Sequence, residues 1–537
     1  MAAIVYQTNK QTGITYAYES ISYWDKEKQQ SRAKRKCIGR VDPVTREIIA
    51  TKKKVAPDNA RENPSQRGPV PITEVARYFY GATYLFDAIG EKLGLTADLK
   101  KCFPNHYRQI LSLAYYLILE DKNPLSRFPK WSALHRHPYG KDIPSQRSSE
   151  LFASISEEER EHFFRLQGKR RIEQEYWAYD TTSISSYSKC LKQVRYGRNK
   201  DHEQLPQINL AMLFGEESSL PFYYRKLAGN IPDVKTIKNL LADMDFLGYN
   251  KVKLVMDRGF YSEANINALY QNHLKFLISA KVSLKFIQRE LEPVRDSIRT
   301  WTKYSQKYDL YAYSTAISWA YSQERPYKGD VLKGKRRMYL HLYYNAEKAV
   351  EDERNLNTLL GTLQEELESG IRNPEHEKQY AKYFEVRTTP ARGAKITARN
   401  EIIEEAKKNY GYFVLLSNEV KDPIEALEIY RNKDLVEKAF GNLKERLNFS
   451  RTSVSSDRSL DGKLFVEFIA LIYLSYIKKK MQDKDLFKKY TMQGLLDELD
   501  IIECFEQPGR ELRIGEITKL QVELYEAMEI SLPTSLH

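Results

Sequence analysis

Lys251-Val252-Lys253-Leu254-Val255-Met256-Asp257-Arg258-Gly259-Phe260 is a short apolar run closed by an acid, a cation and a glycine. Its length and its Val and Leu content read as a buried strand, with Asp257 at the C-terminal end and Gly259 letting the backbone turn sharply just beyond it. Upstream, Val234, Ile237, Leu240, Leu241 and Met244 repeat at helical spacing. Asp233 is placed to cap that helix and Gly248 to stop it. Further upstream lie three strand signals, Tyr176 to Tyr179, Ile208 to Phe214 and Leu220 to Tyr224. Gly215-Glu216-Glu217-Ser218-Ser219 forms the hairpin turn between the last two. Downstream, a second helix starts after Ser262 and the strand Phe276-Leu277-Ile278-Ser279 follows it.

Three strands in meander followed by helix, strand, helix, strand is the order of a ribonuclease-H-like α/β core with a mixed sheet. Around it the chain divides by pattern. Residues 1–60 form a small basic strand-rich module, and the Pro-containing stretch from Ala56 to Pro71 reads as a linker. Residues 61–166 form a helical domain. The first part of the core spans 167–284, an inserted strand-rich subdomain 285–408, and the second part of the core 409–450, where one long helix is expected from Asp422 to Leu447. Residues 451–537 form a helical C-terminal region.

At 537 residues the chain exceeds what one core supports, and 42% hydrophobic and 12% aromatic residues exclude a disordered protein. Lys and Arg outnumber Asp and Glu by 85 to 72, a net +13 that suggests an anionic partner. Residues 1–60 carry 12 of these cations against 6 acids, with clusters at Arg32 to Lys36 and Lys52 to Lys54. Four scattered cysteines argue against a disulfide framework and point to a reducing, cytoplasmic setting. The N-terminus lacks the pattern of a signal peptide. The longest apolar run, Leu464 to Ile477, is too short to span a bilayer, so no membrane role is expected.

Asp180 follows Tyr176 to Tyr179, and Asp257 ends its own strand, which is where open α/β sheets bind ligands. If the two strands are neighbours, both carboxylates meet on one side and suit a hard, oxygen-preferring cation. Tyr430, Lys433, Glu437 and Lys444 fall near one face of the expected helix, so Glu437 would bring a third carboxylate and the cations would hold phosphate oxygens. Such a site positions two divalent ions, one to generate the attacking oxygen and one to stabilise the leaving oxygen of a phosphodiester.

These residues resemble the D-D-E transposases of bacterial insertion sequences, in the branch marked by a Tyr-Arg-Glu-Lys signature. That signature is met by Tyr430, Glu437 and Lys444; Lys433 stands at the Arg position, with Arg431 nearby. Asp180 in Tyr-Asp-Thr-Thr, the Ala228-Gly229-Asn230 to Asp233 segment, and Asp257 before Arg-Gly-Phe-Tyr extend the match over residues 170–450. The resemblance implies a transposase in which Asp180, Asp257 and Glu437 bind Mg²⁺, with Mn²⁺ as a substitute, and in which Tyr430, Arg431, Lys433 and Lys444 contact DNA. It also implies transposon-end DNA and target DNA as partners, a homodimer on DNA, and a bacterial cytoplasmic enzyme that joins the nucleoid when bound.

Blander readings stand beside these. Isolated acids cap turns or face solvent, and Asp434 and Glu445 match no signature position. His202 sits in a polar loop, and His135 and His137 lack zinc-spaced partners. Trp301 and Trp319 of the insertion are expected to be buried. Two other functions share the fold: a DNA-binding regulator that no longer cuts, and a stand-alone ribonuclease-H-like nuclease without joining activity.

Overall fold

The computed structural model describes residues 3–26, 28–50, 75–120, 123–170, 175–188, 190–200, 203–249, 252–324, 331–389, 393–433, 441, 451–452 and 456–534. The chain divides into two compact units, Met1–Thr73 and Glu74–His537. In the first, the alternating Tyr, Thr and Ile residues form an antiparallel sheet of order β1-β2-β3-β4: β1 (Ala3–Thr8), β2 (Thr15–Asp25), β3 (Gln30–Val41) and β4 (Ile48–Ile49).

The second unit opens with β5 (Ala76–Phe79) and six helices: α1 (Gly81–Lys92), α2 (Leu95–Cys102), α3 (Tyr107–Leu119), α4 (Phe128–Leu134), α5 (Ser145–Ser154) and α6 (Glu157–Lys169). Then come β6 (Trp177–Ser186), β7 (Gln207–Gly215), β8 (Pro221–Ala228), α7 (Asp233–Leu247), β9 (Lys253–Met256), α8 (Glu263–Gln271) and β10 (Lys275–Ala280). Residues 285–407 contribute α9 (Lys285–Leu291), β11 (Tyr304–Ser305), β12 (Leu310–Glu324), β13 (Val331–Tyr344), α10 (Ala346–Ser369), α11 (Glu377–Tyr383), β14 (Phe384–Thr389), β15 (Gly393–Ala398) and α12 (Asn400–Lys407). β16 (Tyr412–Ser417), α13 (Pro423–Asn432), β17 (Arg451–Thr452), α14 (Asp457–Asp483), α15 (Met492–Asp500), β18 (Glu503–Glu506), β19 (Arg513–Ile514) and α16 (Lys519–Ala527) complete the unit.

One large mixed sheet organises these elements, in the order β11-β12-β13-β16-β10-β9-β6-β7-β8. β6, β7 and β8 form an antiparallel meander, while β9 runs parallel to both β6 and β10. The long β12–β13 hairpin continues the sheet by pairing β13 with β16, because Leu340 and Leu342 bury one face where β16 offers Val414 and Leu416. α10 and α11 close a small core of their own, with Leu356, Leu363 and Leu367 against Tyr380 and Tyr383.

Helices from both ends of the unit share one core. The apolar stretch Leu464 to Ile477 is buried on every side, so α14 has no polar face over those turns and packs against α3, α5 and β8. Gly462 permits the closest approach: a Cβ there would lie 2.0 Å from the Phe152 carbonyl oxygen of α5. β18 pairs with β5 from Glu503↔Phe79 to Glu506↔Ala76, joining the two ends. Among the described residues, no helix is long and apolar enough to cross a membrane.

Candidate active site

The site begins where two parallel strands part. β6 is paired with β9 only over Trp177–Tyr179, whose partners are Leu254–Met256. β9 ends there, but β6 continues to Ser186 because its other edge stays paired with β7 as far as Ser185↔Gln207. The apolar count stops the strand at Tyr179, yet a paired neighbour keeps the polar Thr181-Thr182-Ser183 run extended. Asp180 and Asp257 each follow the last parallel-paired residue of neighbouring strands about 4.8 Å apart, so both emerge at the same level of the sheet.

Their environments differ. Asp180 is 8% exposed; its Oδ1 accepts the Thr181 N–H at 2.7 Å and lies 3.5 Å from Lys200 Nζ. Burial pushes the Asp180 carboxyl above the usual carboxylate range and the charge of Asp257 adds to the push, while Lys200, Lys433 and the Thr181 amide pull against it. At Asp257 burial is outweighed. The Tyr430 hydroxyl, donating to Oδ1 at 2.8 Å, the Arg258 amide and the charges of Lys433 and Arg258 hold its carboxyl below the usual range.

Two further groups complete the cluster, and one of them corrects an expectation. Asp233 makes no cap bond to its helix. As the first helical residue it sits one position past the cap, and its carboxylate instead accepts the Thr181 hydroxyl and lies 3.4 Å from Lys200. Lys200 donates to the Thr181 carbonyl and hydroxyl at 2.6 and 2.8 Å. The ammonium of Lys200 thus ties Asp180, Thr181 and Asp233 together.

α13 approaches from the other side. Asp422 caps it by accepting the Ile424 and Glu425 amides, and Pro423 occupies the first turn, where its missing N–H is harmless. Tyr430 and the buried Lys433 reach the acids, whereas the Arg431 guanidinium lies 4.7 Å from the Tyr308 ring. Glu437 and Lys444 fall outside the described residues, as do His202, Asp434 and Glu445. Trp319 is buried, with its indole N–H on Asn267, while Trp301 is 80% exposed and stacked on Tyr304. Trp301 lies in a short turn just ahead of β11, outside the paired strands.

A cavity of about 770 Å³ opens beside the acids, lined by Asp233 and Asp257 and by the cations Arg198, Lys200, Arg258 and Lys281. Its floor rests on two buried amides of β7. Gln207 Nε2 and Asn209 Nδ2 both donate to the Gly229 carbonyl, at 3.1 and 3.3 Å, and Asn209 Nδ2 also reaches the Ile231 carbonyl. Two amides at alternate positions of an otherwise apolar strand were the signal in the sequence that this face of β7 lines a site. A Cβ at Gly229 would sit 2.0 Å from the Gln207 carbonyl oxygen and 2.7 Å from that of Arg195. Gly229→Ala is therefore expected to lower stability by about 1–3 kcal/mol through forced backbone displacement. Thermal unfolding of the variant beside the native chain checks this; an unchanged melting temperature rules it out.

The donor chemistry fits a divalent metal. Both acids offer only oxygen, which suits a hard cation, and the buried Asp180 already draws a cationic group to 3.5 Å. Among the described residues no three His, Cys, Asp or Glu side chains are placed to hold a metal together.

A large mixed α/β sheet thus brings two acids together where its parallel strands part. The chain belongs to the transposase DDE domain family, whose profile matches residues 163–473, and DDE transposases generally use divalent metal ions. No curated protein matches the chain. A cryo-EM structure of the piggyBac transposase synaptic complex with hairpin DNA is similar over 72% of this chain and 68% of that one, with 10% identity and a TM-score of 0.35.

Proposed function

We propose that this transposase excises a bacterial insertion sequence by cleaving phosphodiesters at its ends and joins the freed 3′ hydroxyl to target DNA, as cut-and-paste transposition requires. The observation that carries this reading is the emergence of Asp180 and Asp257 at one level of adjacent parallel strands. The order β8-β7-β6-β9-β10, an antiparallel meander followed by two parallel strands, supports a ribonuclease-H-like core. Asp180, Asp257 and Glu437 are the residues that would hold Mg²⁺. When bound, the metal supplies Lewis acidity and an activated oxygen nucleophile.

The chain's own groups prepare that site. Tyr430 orients Asp257 through its hydroxyl, and the buried charge of Lys433 favours the ionised form of both acids. Arg198, Arg258 and Lys281 give the cavity the sign needed to draw in phosphate. Tyr430, Arg431, Lys433 and Lys444 are assigned to the DNA backbone, and the helical region 61–166 to recognition of the ends. The Tyr-Arg-Glu-Lys branch and a homodimer on DNA in the bacterial cytoplasm belong to the same reading.

A supercoiled plasmid carrying the element's own ends, incubated with the protein and Mg²⁺, tests it. Linear excision products together with joined products are expected. Cleavage without joining would leave a stand-alone nuclease, and binding to the ends without cleavage a regulator.

A further inference from the structure

The first unit carries a surface that the catalytic core does not use. β1 covers β2 only as far as Ser20, which pairs with Ala3. Beyond it Ile21–Asp25 and Gln30–Lys34 are paired with each other alone among the described residues, as a two-stranded ribbon. The pairings Ile21↔Lys34 and Tyr23↔Arg32 set those side chains on one face, because residues directly opposite in a ladder share a face. Lys36, opposite Glu19, continues it, and the regular β1–β2 register adds Tyr6.

This face is unusual in being both apolar and basic. Tyr6, Ile21 and Tyr23 are 57%, 53% and 50% exposed, and the cations beside them are exposed too. On this face β3 presents Arg32, Lys34 and Lys36, while Arg35 and Arg40, opposite Ser20 and Tyr16, belong to the other face. The acids Glu19 and Asp25 of β2 share the face and leave the cations in excess, three to two; the contact of Arg32 with Asp25, at 3.7 Å, leaves the guanidinium about half exposed. Cations alone would serve to blunt an edge strand against aggregation. Exposed Tyr and Ile between them have the opposite effect, so blunting the edge does not account for the face.

We propose that this ribbon face is a duplex-DNA interface, with Arg32, Lys34 and Lys36 on phosphates and Tyr23 and Ile21 against the groove. A two-stranded ribbon fits the major groove, about 12 Å wide, and places cations on alternate residues roughly 6.7 Å apart along the strand. The choice of DNA as partner rests on the transposase reading; the choice of surface does not.

The test uses the full chain and two fluorescent duplexes, the element's terminal sequence and an unrelated one, titrated at several salt concentrations. The Arg32→Gln/Lys34→Gln/Lys36→Gln chain is expected to lose affinity for both duplexes. The slope of log K against log salt should shallow by about 0.9 for each phosphate contact removed, or roughly 2.7 in all. Tyr23→Ala should weaken binding with little change of slope. Lys34→Gln alone, a change of one exposed side chain, should shallow the slope by about 0.9 and covers the case of a triple variant that does not fold. Variants that bind both duplexes with native slope and affinity overturn the inference. So does unchanged DNA binding with altered self-association in sedimentation, which would make the face a contact between copies. If the native chain cuts and joins while the triple variant keeps its slope, this inference alone falls; a native chain that binds no duplex removes the transposase reading with it.

Discussion

Asp257→Asn and Asp180→Asn are each expected to abolish strand cleavage, by about 10³-fold or more, while duplex binding stays within a factor of two of native. A metal-held carboxylate underlies several kcal/mol of transition-state charge stabilisation, and each 1.36 kcal/mol is a factor of ten in rate. The two variants should differ in stability. Asp180 is buried, and burial raises its carboxyl pKa, so an ionised Asp180 strains the native state and its amide replacement should melt at or above the native temperature. Asp257 is held below the usual range by the Tyr430 hydroxyl and the Arg258 amide, so Asp257→Asn should lower stability by about 1 kcal/mol. An inactive but unweakened Asp180→Asn protein is the mark of an acid kept for chemistry rather than for folding. Cleavage assays and melting curves on the same preparations decide it. Residual cleavage above a tenth of native in either variant would remove that acid from the site.

The acids were legible because their signal is local. Asp257 closes an apolar run short enough to be a strand, and the helix–strand–helix–strand order around it is written in the periods of 3.6 and 2. The partners of the acids were harder to read, since they depend on pairing between distant segments. Lys200 lies 20 residues beyond Asp180 in a polar loop, and only the β6–β7 pairing folds that loop back over Thr181. Asp233 has the composition of a helix cap, and what overrides this is a cation and a hydroxyl from another strand. The continuation of the main sheet by β12 and β13 is likewise set by the match of their apolar positions to β16, roughly 70 residues on, which no local period displays.

Stability is expected to fall as pH rises from about 4.5 through about 8, and Glu467 is the cause. This residue lies in the most apolar part of α14, 1% exposed, and neither carboxyl oxygen has a hydrogen-bond partner. Lys463, one turn earlier, comes to 3.6 Å, close enough for an ion pair but too far for a hydrogen bond. Burial therefore dominates and pushes the Glu467 carboxyl from 4.5 up to about 8, with Lys463 opposing part of the shift. Below pH 4.5 folded and unfolded chains both hold the proton, and the full stability is present. Between 4.5 and about 8 the unfolded chain has released it and the folded chain has not, so each step up in pH favours unfolding; above about 8 the loss is complete. Across that window the loss is on the order of a few kcal/mol. Glu467→Gln keeps the shape and removes the titration, so it should match the native chain at pH 5 and exceed it at pH 8.5. Urea unfolding followed by circular dichroism at both pH values measures this as a difference between the two proteins, in which titrations common to both cancel. Parallel pH profiles would mean that Glu467 stays charged in the core and that Lys463 neutralises it fully.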